Sequence, residues 1–216
     1  MSCNGLTKYS YVLNCVFEYD IVSHTQFGDT MKIFIRGKND KLSRKEIREI
    51  ISFIGNILLG KRLSRHIKIT LKNRNLKRFE WGYCGPTDYY NRNHRNFEIL
   101  LNCQSSRKTQ ILTIIHELVH IKQFARNELR NVDNEIHLWL NRTFLLDNYR
   151  YDELPWEQEA AQTESVLYKV YQEHVKQCHK MSKHTRFAHA HAVGQQAGKI
   201  QIAECAEKRE LRGRER

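Results

Sequence analysis

Hydrophobic and polar residues alternate in several short stretches of the chain, and a period of two is typical of β-strands. Residues 31–36 alternate and are followed by Gly37, residues 66–72 alternate strictly, and residues 97–102 form a further apolar stretch. Residues 11–17 carry a weaker pattern of the same kind. We therefore expect the N-terminal half of the chain to contribute a small sheet.

A helical period follows the first of these strands. Ser43 is suited to cap a helix, and Glu46 three residues later completes a capping box. Apolar residues then recur at helical spacing, which predicts one buried stripe: Ile47, Ile50, Ile51, Ile54, Ile57 and Leu58. Gly60 is expected to end this helix. Residues 73–96, which are polar and aromatic, are expected to form a loop that either lines a cleft or packs over the sheet.

Residues 111–124 form an apolar run without Gly or Pro, and the run contains His-Glu-x-x-His at positions 116–120. On a helix, His116 and His120 lie one turn apart on the same face, so both imidazoles can reach one Zn²⁺ at about 2.0–2.1 Å. Glu117 adjoins the first ligand, where its carboxylate can reach a water on the metal. This spacing predicts metal-assisted hydrolysis, with Glu117 accepting a proton from the water.

The alternative interpretation is a pair of surface histidines on an amphipathic helix. Apolar side chains surround the motif on nearly every side, which is typical of a buried helix: Ile111, Leu112, Ile114, Ile115, Leu118, Val119 and Ile121. Each buried polar group left without a partner costs about 1–3 kcal/mol. A shared metal ion would satisfy the two histidines and the glutamate together, and this favours the metal site.

Catalytic zinc usually has three protein ligands and one open position, so a third ligand is expected downstream. A helix is predicted after Pro155, which suits a first helical turn. At about 100° per residue, Glu157 points closer to the apolar side of this helix than Glu159, and Glu164 is the second choice. His137 is a rival ligand. A first-turn glutamate that complements the helix dipole is the other interpretation of Glu157.

Together, the two segments resemble those of the gluzincin class of zinc metallopeptidases. The motif at positions 116–120 is followed by Glu-Gln-Glu-Ala at positions 157–160, in the register of the Glu-x-x-Ala segment that supplies the third ligand in that class. The Pro-Trp-Glu-x-Glu-Ala segment at 155–160 is also similar to one in small metallopeptidase-like proteins of phages and bacteria. The resemblance covers residues 80–175.

This resemblance implies an α+β, zincin-like fold in which a later helix delivers Glu157 to the motif helix. It implies a peptidase whose Zn²⁺ is held by His116, His120 and Glu157, with Glu117 as general base and a peptide or protein as substrate. Residues 97–102 would form the edge strand that flanks the cleft. The chain departs from the class in showing no oxyanion-stabilising His or Tyr at a recognisable spacing.

Basic residues are concentrated in one segment of a chain whose formal net charge is +12. Residues 36–95 contain sixteen Lys and Arg against five Asp and Glu. Such a surface attracts polyanions through the release of counterions, which makes nucleic acid a candidate partner. No recognition motif accompanies the charge, and a solvated basic face is the alternative. The competing function is a non-catalytic, zinc-stapled protein that binds nucleic acid through this segment.

The 216 residues are predicted to form one domain over residues 1–180, followed by a basic, His-containing extension over residues 181–216. No apolar run reaches the roughly 18 residues that a membrane span requires, and the N-terminus lacks the pattern of a signal peptide. The six cysteines form no Cys-x-x-Cys pair, which favours free thiols. We expect a cytoplasmic protein that does not associate with membranes.

Overall fold

The computed structural model describes residues 31–76, 81–88 and 93–180. Over these ranges the protein is mixed α+β, with three α-helices and two small sheets. The chain divides into two compact units, Met1–Tyr171 and Gln172–Arg216. The weak strand pattern at 11–17 and the predicted extension at 181–216 lie outside the described residues. None of the helices in the described ranges is long and apolar enough to cross a bilayer.

The first sheet has four strands, in the spatial order β1 (Lys32–Arg36), β2 (Lys68–Arg74), β4 (Asn96–Asn102) and β3 (Gly82–Pro86). Strands β1, β2 and β4 run parallel, and β3 pairs with β4 in the antiparallel sense. One face of the sheet is buried, and its side chains include Ile69, Leu71, Ile99 and Leu101. The strands predicted at 31–36, 66–72 and 97–102 are thus confirmed.

The predicted loop over residues 73–96 is wrong in part, because β2 continues to Arg74 and β3 lies within the segment. The expectation that residues 97–102 form the edge strand is also wrong. Strand β4 is internal, since β3 pairs with its outer side. Gly82 allows β3 to lie close to the motif helix, because a Cβ at this position would clash with Thr113 Cγ2.

Helix α1 (Arg44–Ser64) begins at the predicted cap. Ser43 accepts a hydrogen bond from the Glu46 backbone N–H, and the Glu46 carboxylate accepts one from the Ser43 backbone N–H, which completes the capping box. The predicted apolar stripe is buried over Ile47, Ile50, Ile51, Ile54 and Leu58. Gly60 has φ 74° and interrupts the helix at the predicted position, and the chain then resumes helical structure to Ser64.

Helix α2 (Arg107–Ala125) carries the His-Glu-x-x-His motif. Its N-cap is Ser106, whose side chain accepts a hydrogen bond from the Thr109 backbone N–H. The helix packs on α1 and on strands β3 and β4, and it is buried on most of its circumference. This burial agrees with the apolar run around the motif. Of the motif residues, Glu117 and His120 are buried, and His116 is half-buried and remains accessible from solvent.

Along the chain, a second sheet follows the motif helix and precedes the helix that carries Glu157. Its antiparallel strands are β5 (Leu129–Asn131), β6 (Ile136–Trp139) and β7 (Arg142–Leu145). Two short 3-10 turns follow, at Leu146–Asn148 and Tyr151–Glu153. Helix α3 begins at Pro155 and, within the first unit, extends to Tyr171; residues 172–180 of the second unit are also helical.

Candidate metal centre

Three side chains from two helices meet at one point. His116 and His120 project from α2, and Glu157 projects from the first turn of α3. The Nε2 atoms of the two histidines are 3.1 Å apart, and Glu157 Oε2 lies 3.3 Å from His116 Nε2 and 3.4 Å from His120 Nε2. The structure thus brings together the three residues that the sequence nominates as metal ligands.

The outer nitrogen of His120 has a defined partner. Gln123 donates from its Nε2 to the Trp156 carbonyl at 3.0 Å and to Glu159 Oε2 at 2.9 Å, and both of these groups are acceptors only. Its Oε1 must therefore face His120 Nδ1, which lies 2.8 Å away. His120 consequently carries its proton on Nδ1, and its Nε2 presents a lone pair towards Glu157.

The same reasoning applies to His116. Its Nδ1 lies 3.0 Å from Glu164 Oε2, and a carboxylate can only accept a hydrogen bond from it. The proton on Nδ1 leaves Nε2 with a lone pair in the neutral ring. Partners of this kind, which orient a histidine through its second nitrogen, are a regular feature of metal sites in proteins. Each histidine of the motif therefore has such a partner.

Three acceptor atoms at 3.1–3.4 Å need a positive group between them. In a tetrahedral zinc site with ligand bonds of about 2.0–2.1 Å, neighbouring ligand atoms are about 3.3 Å apart, and the observed triangle fits this value. Without a metal, a proton takes the same role. Burial lowers the pKa of His116, but its hydrogen bonds to Glu157 and Glu164 outweigh burial and raise the pKa to about 10.

Glu157 is held in place by the packing around its neighbour. Trp156 is 3% exposed and packs its indole against the rings of His137, Trp139 and Phe144. This aromatic cluster joins the second sheet to the start of α3. Burial raises the pKa of Glu157, but its hydrogen bonds to the two histidines lower it to about 2, so the carboxylate is ionised at neutral pH.

Glu117 lies beside the three ligand atoms but is not one of them. It is 6% exposed, and a Cβ at Gly82 would stand 3.2 Å from its Oε1, so the carboxylate lies between α2 and β3. Burial raises the pKa of Glu117 to about 6, although the nearby histidines lower it. A carboxylate of this pKa is suited to accept a proton near neutral pH.

Tyr151 is a residue of this site that the sequence reasoning missed. It lies in the second 3-10 turn, and its hydroxyl donates a hydrogen bond to the Glu157 carboxylate. Although Tyr151 is 67% exposed, loss of hydration and this hydrogen bond raise the pKa of its hydroxyl, so the hydroxyl stays protonated. Its sequence signal is weak, because it is one of four tyrosines in residues 149–171 and stands six positions before Glu157.

The other ligand candidates have different neighbours. Glu164 bonds to the outer nitrogen of His116, and Glu159 accepts hydrogen bonds from Gln123 and Lys122. His137 packs on Trp156 in the aromatic cluster, and its Nδ1 is buried without a hydrogen-bond partner among the described residues. Glu157 is therefore the candidate that lies next to both histidines.

No family model, curated protein or solved structure matches this chain. The resemblance to gluzincins is therefore limited to the two short motifs. Two imidazoles and one carboxylate form a donor set suited to Zn²⁺, whereas Mg²⁺ and Ca²⁺ prefer oxygen ligands. The donor set and the ligand triangle together fit a zinc ion.

Proposed function

We propose that this chain is a zinc-dependent metallopeptidase of zincin-like fold, with His116, His120 and Glu157 as metal ligands. The observation that carries the proposal is the triangle of three acceptor atoms, at 3.1–3.4 Å, with the Glu117 carboxylate beside it. A purely structural zinc site is usually closed by four protein ligands. Three ligands beside an uncoordinated carboxylate favour a catalytic site instead.

Each group of the site has a separate role in peptide hydrolysis. Zinc, when bound, polarises the scissile carbonyl and lowers the pKa of a water molecule towards 7. Glu117 accepts the proton of the attacking water and passes it to the leaving amine. A nearby cation favours the carboxylate form of Glu117, so its pKa of about 6 in the metal-free protein does not prevent this role.

The Tyr151 hydroxyl is the oxyanion donor in this proposal. This hydroxyl donates a hydrogen bond to the Glu157 carboxylate, which places a protonated donor beside the ligand atoms, and the raised pKa of Tyr151 means that the hydroxyl is not ionised at neutral pH. A positioned donor of this kind stabilises the tetrahedral intermediate of acyl transfer. In this proposal, Tyr151 in the turn before α3 is the oxyanion-stabilising donor that the two sequence motifs lack.

The position of β3 supports a peptide as substrate. It is the outer strand of the first sheet over the described residues, and Gly82 places it against Glu117. An extended peptide can add to such an edge through backbone hydrogen bonds. A peptide paired with the outer edge of β3 would therefore lie near Glu117.

The test compares wild type with Glu117→Gln on a library of unstructured peptides, with zinc measured in both proteins. The amide keeps the size of the side chain but cannot accept the proton, so cleavage should fall about 10²–10⁴-fold. Zinc content and melting temperature should stay near wild type, because Glu117 is not a ligand. An active wild type beside an equally active Glu117→Gln protein would refute Glu117 as general base.

The second candidate function is a non-catalytic protein that uses zinc as a staple and binds nucleic acid through its basic segment. The net charge of residues 36–95 favours it. In that case Glu117→Gln leaves function unchanged, and His116→Ala lowers stability together with nucleic-acid binding. The two functions therefore separate in the same set of variants.

A further inference from the structure

One face of the first sheet is exposed among the described residues. Strands alternate, so the side chains that neighbour the buried Ile69, Leu71, Ile99 and Leu101 point to the opposite face. In register order, this face presents the following residues: Lys32, Phe34 and Arg36 of β1, Lys68, Thr70, Lys72 and Arg74 of β2, Asn96, Glu98 and Leu100 of β4, and Tyr83 of β3. We call these residues the open sheet face.

The open sheet face is strongly basic. Five Lys and Arg side chains stand on it with one carboxylate, Glu98, which forms an ion pair with Lys72 at 2.5 Å. Lys32, Arg36, Lys68 and Arg74 are exposed. The charge is spread over two neighbouring strands, about 4.8 Å apart, and does not lie on one helix. A polyanion with regularly spaced charges is therefore the complementary partner.

Two aromatic rings add a second kind of contact. Phe34 on β1 and Tyr83 on β3 are 49% and 59% exposed. They lie on the two outer strands, three strand spacings or about 14 Å apart. Lys68 Nζ lies 5.6 Å from the centroid of the Phe34 ring, so a cation already neighbours this ring. Exposed rings among lysines and arginines are typical of surfaces that stack unpaired bases.

We propose that the open sheet face binds single-stranded nucleic acid, with phosphates on its Lys and Arg residues and bases on Phe34 and Tyr83. Duplex DNA is the weaker fit. The face of a four-stranded sheet is too broad to enter a groove, and bases within a duplex cannot stack on the rings. The proposal does not depend on the metal centre, because α2 packs on the other face of the sheet.

The binding test uses the full chain and fluorescent homopolymers of about 20 nucleotides, one of deoxythymidine and one of uridine, with a duplex of equal length beside them. We expect binding to at least one single strand at about 50 mM salt, and a steep loss of affinity by about 200 mM. The two homopolymers distinguish DNA from RNA. Either preference supports the proposal, and tighter binding to the duplex overturns it.

Two sets of variants separate stacking from charge. Phe34→Ala and Tyr83→Ala should each weaken single-strand binding by about 5- to 150-fold and leave the salt dependence nearly unchanged. The double variant Arg36→Glu with Arg74→Glu should weaken binding and reduce the salt slope by about 0.7 for each phosphate that the protein no longer neutralises. Circular dichroism and urea unfolding of each variant show whether the fold is retained.

The matched control is Arg44→Glu with Lys45→Glu. It reverses the same number of charges at exposed positions of α1, which belongs to the same basic segment but not to the open sheet face. We expect this control to bind with much higher affinity than the Arg36 and Arg74 variant. Equal weakening in the two double variants, unchanged binding by both alanine variants, or no binding to either homopolymer would overturn the proposal.

Discussion

Gln123→Met keeps the approximate size of a fully buried side chain but removes its amide. The substitution removes three hydrogen bonds: the one that Gln123 accepts from His120 Nδ1 at 2.8 Å, and those that it donates to the Trp156 carbonyl and Glu159 at 3.0 and 2.9 Å. His120 is then free to turn or to move its proton to Nε2. The Nε2 lone pair is then not held in the direction of the metal position, so we expect weaker zinc binding.

The expected size of this effect follows from the groups that are left without partners. Removing the residue that orients a metal-binding histidine lowers metal affinity by about 10–100-fold, which corresponds to about 1.4–2.7 kcal/mol. The metal-free fold is also destabilised, because a buried polar group left unpaired costs about 1–3 kcal/mol. Zinc affinity and the free energy of unfolding must therefore be measured separately.

Zinc affinity is measured by competition with a fluorescent chelator, and stability by urea unfolding of the metal-free protein. Gln110→Met is the matched control. Gln110 lies on the same helix, is equally buried, and also makes three hydrogen bonds, with Asn39, Cys103 and Ser105. Its partners are not ligands of the metal centre. We expect Gln110→Met to lower stability and to leave zinc affinity unchanged.

Equal zinc affinity in wild type and a folded Gln123→Met protein would refute the role assigned to Gln123. The same conclusion follows if Gln110→Met weakens zinc binding as much as Gln123→Met does. Such a result would mean that general destabilisation, and not the orientation of His120, controls the affinity.

Three further predictions concern the same site. Tyr151→Phe should lower kcat for peptide cleavage by about 10²–10³-fold with zinc retained, and an unchanged kcat would remove Tyr151 from the mechanism. Burial lowers the pKa of metal-free His116, but Glu157 and Glu164 raise it to about 10, so zinc must displace a proton at neutral pH. Zinc affinity should therefore rise about tenfold per pH unit from roughly pH 7 to 9, and calorimetry in buffers of different ionisation enthalpy should detect at least one released proton. Trp156→Ala should lower the free energy of unfolding by about 3–5 kcal/mol in urea, because it empties the aromatic cluster at the start of α3.

The features that the sequence predicted are those with a local cause. The strand at 66–72 alternates, the helix after Ser43 has its own capping box, and the motif histidines stand one helical turn apart. The prediction of Glu157 uses one further quantity, the direction of each residue around the helix axis. It is possible because the apolar residues of this helix define its buried side. Each of these signals is contained within a few neighbouring residues, so no knowledge of distant contacts was needed.

The features that it did not predict depend on distant residues or on unusual turns. Strand β3 contains Gly82, Gly85 and Pro86, which are turn residues, and its extended form comes from pairing with β4. The turn between β6 and β7 places Leu140 and Asn141 at φ 50° and 66°, where Asn and Gly are the usual residues. The sequence pattern therefore does not predict the second sheet.

The residues that hydrogen-bond to the candidate metal ligands are also features that the sequence does not predict. Glu164, Gln123 and Tyr151 reach the metal centre through the packing of α3 and its preceding turn on α2. The sequence identifies Glu164 only as a possible ligand, because its position in the chain does not indicate which nitrogen of His116 it faces. Such roles follow from three-dimensional contacts and not from spacing.

The most direct test of the metal centre is the metal content of the purified full chain, by mass spectrometry, for wild type, His116→Ala, Glu157→Ala and Glu159→Ala. The last variant is the control, since Glu159 lies on the same helical turn but faces Gln123 and Lys122. We predict one zinc ion per chain in wild type and in Glu159→Ala, and much less in the two ligand variants. Wild type without stoichiometric zinc, or Glu157→Ala with as much zinc as wild type, would contradict this account.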